Sequence, residues 1–141
     1  MNKYKLMAVL GLGMASASVS AQDLVVECLI SGTPTQQTLT PHFCYSQTNV
    51  PDGGVYFKLK SSKSVADVTW SYGGTPGSWR CNGNQSCFYT VSRRETYGSV
   101  QACVTRVLYT DGTWENANAC ATGEFWYSGG GPNPLDSEEV Q

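Results

Sequence analysis

Residues 103–120, CVTRVLYTDGTWENANAC, carry a cysteine at each end and Asp111-Gly112 at the midpoint, with seven residues on either side. Asp-Gly suits a two-residue type I′ hairpin loop, whose central positions both need positive φ. With the loop placed there, opposing residue numbers sum to 223: Thr110 faces Thr113, Tyr109 faces Trp114, Val107 faces Asn116, Thr105 faces Asn118, and Cys103 faces Cys120. Counting outward from the hydrogen-bonded pair beside the loop, the cysteines fall on a non-hydrogen-bonded pair. There the Cα atoms lie about 4.5 Å apart, within a disulfide's reach. The spacing predicts a covalent register lock, because turn type fixes strand register.

Residues 78–89, SWRCNGNQSCFY, repeat the device on a smaller scale. With Gly83-Asn84-Gln85 as a three-residue loop, Cys81 faces Cys87 and Trp79 faces Tyr89. Four cysteines outside the first bridge allow three pairings; with Cys81–Cys87 closed, Cys28 pairs with Cys44 by elimination. Six cysteines in a short exported chain imply up to three disulfides. Zinc would need C-x-x-C or histidine spacings that are not present.

Export itself is read from residues 1–21. Lys3 and Lys5 make a charged start, residues 6–15 an apolar middle, and Val19-Ser20-Ala21 a small-residue cleavage site. No second long apolar run follows, so no membrane span is expected. After cleavage, seven basic residues face eleven acidic ones, with no basic stripe; that excludes nucleic acid and anionic membrane surfaces as expected partners. Residues 22–127 read as one domain, and residues 128–141, Gly/Pro-rich then acidic, as a disordered tail.

Six β-like runs cover residues 24–30, 55–60, 65–71, 86–92, 100–110 and 113–122, rich in Val, Thr and aromatics and separated by turn residues. Residues 33–49 read as an irregular connection pinned at Cys44. Fold class is therefore all-β. The run of strands, the Asp-Gly hairpin and Val68-Thr69-Trp70 together resemble the immunoglobulin-like sandwiches of bacterial exported proteins, including PKD and fibronectin-type variants, over residues 55–122. The resemblance implies an antiparallel, disulfide-stapled β-sandwich. The chain departs from the antibody pattern in lacking the Cys–Trp–Cys spacing, and the bridges inferred above are local rather than between sheets.

The hairpin register sorts side chains by face. Tyr109, Trp114, Val107, Asn116, Thr105 and Asn118 share one face with the bridge. Ala102, Val104, Leu108, Ala117, Ala119 and Ala121 share the other, which reads as core, with Arg106 and Glu115 near the turn and paired diagonally. Tyr109 and Trp114 beside Asn116 and Asn118 suit stacking on a sugar ring while the amides bond its hydroxyls. A Tyr–Trp pair also stabilises a hairpin with no ligand at all. Trp79, Tyr89 and Tyr72 form a second candidate patch, and Trp70 reads as core.

Catalysis is not expected. The sole histidine, His42, has no nucleophile setting beside it and reads as structural or exposed. No cofactor or metal motif is present. The best sequence reading is a secreted or periplasmic binding domain for a glycan or an extracellular protein. Its rivals are a peptidase inhibitor presenting the Cys81–Cys87 loop or residues 73–79, and an envelope assembly component.

Overall fold

The computed structural model describes residues 24–33, 38–48, 53–91 and 97–127. The stretches read as a leader, 1–21, and as a tail, 128–141, lie outside the described residues. Among the described residues nine strands follow in order: β1 Val25–Ile30, β2 Thr40–Pro41, β3 Phe43–Thr48, β4 Gly54–Lys60, β5 Val65–Gly74, β6 Gly77–Arg80, β7 Ser86–Val91, β8 Tyr97–Tyr109 and β9 Trp114–Tyr127. They form a five-stranded sheet, β2-β1-β4-β7-β6, and a four-stranded sheet, β3-β9-β8-β5. Every pairing is antiparallel except β3 with β9, which is parallel, so the smaller sheet is mixed. Among the described residues no helix is long and apolar enough to cross a membrane.

Period-two alternation puts one side of each strand inward. Val26, Cys28 and Ile30 from β1, Val55, Phe57 and Leu59 from β4, and Tyr89 from β7 meet Val100, Ala102, Val104, Ala121 and Phe125 from β8 and β9. Each large apolar side chain so buried contributes about 1.5–3 kcal/mol. The Tyr89 and Phe125 rings, one from each sheet, lie 6.0 Å apart. A Cβ at Gly123 would sit 2.5 Å from Val55, so the sheets approach too closely there for any side chain but hydrogen.

All six cysteines are paired, as Cys28–Cys44, Cys81–Cys87 and Cys103–Cys120. Three disulfides belong to an oxidising, extracellular or periplasmic environment. Two expectations need correction. The stretch 33–49 is not an irregular connection throughout but carries β2 and β3. Cys28–Cys44 is not local but joins β1 of one sheet to β3 of the other, because the chain changes sheets between them. His42 makes that crossing: its N–H donates to Val26 O, its carbonyl accepts from Thr122 N–H, and its φ is +68°. At the opposite edge, Tyr72 of β5 stacks on Trp79 of β6 at 4.6 Å and closes the sandwich there.

The final hairpin keeps its register at the bridge and loses it near the tip. Cys103 faces Cys120, with Cα atoms 4.0 Å apart, as the 223 rule requires. The turn, however, is a three-residue loop. Tyr109 N–H bonds Thr113 O, and of Asp111 and Gly112 only Gly112 has positive φ. Pairs near the tip therefore sum to 222, as in Leu108 with Trp114 and Arg106 with Asn116. A bulge between Val104 and Arg106 then restores the sum to 223. Thr105 and Arg106 are both exposed, and the inward set on β8 changes from Val100, Ala102 and Val104 to Val107 and Tyr109.

Asp111 organises the tip as an Asx turn, its carboxylate accepting from the Thr113 hydroxyl and backbone N–H, with Lys63 Nζ 3.4 Å away. The Thr113 hydroxyl, then its N–H, then Lys63 hold the Asp111 carboxyl below the usual aspartate value. The charged form is the one favoured by folding, so this contribution is present at neutral pH and lost as pH falls through the lowered value. Carboxyl chemical shifts followed through an acid titration should place Asp111 below a free aspartate, and Thr113→Val should move it back up.

Candidate functional site

Neither patch read from the sequence is assembled as expected. Tyr109 is not outward; past the bulge it turns into the core, 5% exposed, and its hydroxyl donates to Glu115. Val107 is likewise buried. Trp114, 53% exposed, and Asn116 and Asn118 do remain on the surface. The Arg106 guanidinium lies 3.7 Å over the Trp114 ring instead of pairing with Glu115, so that face of the indole is already covered. In the second patch Trp79 and Tyr89 face each other as predicted. Tyr89 is nevertheless fully buried, its hydroxyl bonded to Pro76 O, and Trp79 is wedged among Phe57, Tyr72 and Tyr89. Trp70 is half-buried against the core, its Nε1–H donating to Asn84 O.

The Cys81–Cys87 loop is also tied down. Gly83 O accepts from Val68 N–H, Gln85 O from Leu59 N–H, and Asn84 O from the Trp70 indole. A loop whose carbonyls are used internally is a poor fit to a protease cleft.

The larger exposed feature is the outer face of the four-stranded sheet, at the end away from the hairpin tip. Outward positions of β3, β9 and β8 align there in three rows across the sheet. The first holds Phe43, Thr122 and Gln101; the second Tyr45, Glu124 and Ser99; the third Gln47, Trp126 and Tyr97. Neighbours across strands stand about 4.8 Å apart and successive rows about 6.8 Å. Phe43, Tyr45 and Tyr97 are 50%, 54% and 44% exposed. Tyr97 meets Trp126 edge-on at 5.4 Å. Four aromatic side chains thus surround one carboxylate, Glu124, which occupies the central position.

That carboxylate acts on its neighbours. The Tyr97 hydroxyl is raised above the usual tyrosine value by partial desolvation, then by its hydrogen bond to Glu124 and the charge there, and least by Tyr45. Beside the grid, toward β5, the outward position next to Gln101 is Gly73, with nothing within 4 Å of where its Cβ would be. Gly73 lines an open depression of about 430 Å³ there, together with Ser71, Ser99 and Gln101 among others. The face therefore offers aromatic surface on one side and hydroxyl and amide groups on the other.

None of Phe43, Tyr45, Tyr97, Glu124 and Trp126 was placed in a binding site by the sequence reading. The signal for three of them was present: the 223 rule continued past the bridge pairs Ser99 with Glu124 and Tyr97 with Trp126, on the bridge's own face. Phe43 and Tyr45 arrive by the parallel β3–β9 pairing, for which no local pattern existed. Among known proteins, the chain matches no family model, no curated sequence and no solved structure.

Proposed function

We propose that this chain is an exported, non-enzymatic binding domain of immunoglobulin-like type that takes a glycan on the outer face of its four-stranded sheet. The observation carrying this reading is the nine-position grid, in which Phe43, Tyr45, Tyr97 and Trp126 are grouped with the polar groups of Gln47, Ser99, Gln101 and Thr122. Aromatic faces suit the apolar faces of a pyranose, and amides and hydroxyls suit its edge. A contiguous exposed aromatic patch on a monomer marks a contact surface more often than chance. Binding is favoured over hydrolysis because the grid holds a single carboxylate, whereas glycosidic cleavage ordinarily requires two flanking the bond.

Strand order supports the immunoglobulin-like reading. The series β1-β4-β7-β6 matches the A-B-E-D sheet of that fold and β9-β8-β5 the G-F-C sheet. Three disulfides and the leader pattern at 1–21 support export.

Affinity electrophoresis against a panel of immobilised polysaccharides tests the reading. Retardation by at least one glycan is expected, weakened roughly tenfold in Trp126→Ala and left nearly unchanged in Trp114→Ala. Retardation lost in Trp114→Ala and kept in Trp126→Ala would move the site to the hairpin tip.

A further inference from the structure

We infer that the glycan carries protonated amino groups, as in a hexosamine polymer that is not N-acetylated, and that Glu124 selects it. The inference rests on the glycan reading of the same face. Of the nine grid positions only Glu124 is charged, so the face presents one negative charge among four aromatic rings. Among the described residues the ion pair, Lys63–Asp111, lies at the other end of β8 and β9, and none of their cations pairs with Glu124.

A half-buried carboxylate grouped with aromatic side chains attracts an ammonium group, chiefly through its charge. The same carboxylate repels uronic, sialic or phosphorylated sugars. A neutral sugar gains only a hydrogen-bond acceptor from it. Tyr45 stands directly beside Glu124 on one side and Ser99 on the other, with Thr122 and Trp126 along its own strand. An amine placed over Glu124 therefore leaves its sugar ring against Tyr45 or Trp126 and its hydroxyls toward Ser99, Gln101 and the depression at Gly73. A lysine-rich peptide would satisfy the charge as well, but an amino sugar also brings a hydroxyl-rich ring edge to the hydroxyl and amide groups beside Gly73, which is why the amino sugar is favoured.

The test is calorimetric titration of the whole protein at physiological salt with oligomers of glucosamine, N-acetylglucosamine and galacturonate, and with oligolysine. Glucosamine oligomers should bind roughly fivefold more tightly than their N-acetylated counterparts, and galacturonate most weakly. Glu124→Gln should abolish that preference, bringing glucosamine oligomers down to the affinity of their N-acetylated counterparts. Glu27→Gln, on the other sheet, should keep the preference, separating local recognition from the overall acidity of the chain. Equal binding of the two amino-sugar forms by the unaltered protein, or a preference surviving Glu124→Gln, overturns the inference and leaves the glycan reading standing. Failure of every glycan defeats that reading itself, and oligolysine binding without any glycan binding reassigns the face to a cationic peptide.

Discussion

Replacing Cys28 and Cys44 together by alanine is expected to lower the unfolding free energy by about 2–5 kcal/mol, measured by urea denaturation. That is a large share of the roughly 5–15 kcal/mol a domain of this kind possesses. The reason is position. Cys28 and Cys44 are buried on strands of different sheets, so the bridge limits how far the sheets can separate in any partly unfolded state. Cys81–Cys87 joins two residues six apart at the end of strands already paired through the β6–β7 ladder. Its double alanine variant should lose visibly less, because the ladder holds much of the same constraint. Equal losses from both would mean that the inter-sheet bridge adds nothing beyond ordinary loop closure.

Phe125→Ala is expected to cost about 3–5 kcal/mol, the range for removing a fully buried aromatic side chain that leaves a cavity. Phe125 is 0% exposed, lies 6.0 Å from the Tyr89 ring, and covers Gly98 so closely that a Cβ there would fall 2.1 Å from its ring. The surroundings cannot collapse into the space, since Tyr89 is held by its hydroxyl bond to Pro76 O at 3.1 Å. The converse change, Gly98→Ala, overfills the same contact and should cost about 1–3 kcal/mol. Glu124 and Trp126 flank Phe125 on β9 and point the other way, so the alanine variant should also loosen the outer grid. A denaturation midpoint close to that of the unaltered protein would show that Phe125 does not anchor β9.

The hairpin shows how far sequence reasoning reaches. The opposition of Cys103 and Cys120 was legible because two departures cancel: a loop one residue longer than Asp-Gly alone suggests, and a bulge beyond Val104 that takes the shift back. Between those points the faces exchange on β8, which is why Tyr109 is inside and Trp114 outside. A bulge of this kind answers to tertiary packing, and a dipeptide rule cannot register it. The all-β class, the strand runs and the two hairpin bridges were legible because alternation and turn residues are local signals. The inter-sheet bridge and the parallel β3–β9 pair were not. Residues 43 and 122 meet across nearly eighty positions of chain, with no local turn to set their register, and the crossing depends on positive φ at His42, which is uncommon for any residue but glycine even though histidine adopts it more readily than most. The aromatic grid needs both the local and the distant pairing, so half of it was hidden.

The most direct test of the account is backbone and indole chemical-shift mapping during titration with the glycan retained in electrophoresis. Shifts concentrated at Phe43, Tyr45, Tyr97, Ser99, Gln101, Glu124 and the Trp126 indole are predicted, with the Trp114 indole unmoved. Shifts concentrated instead at Arg106, Trp114, Asn116 and Asn118 would contradict it.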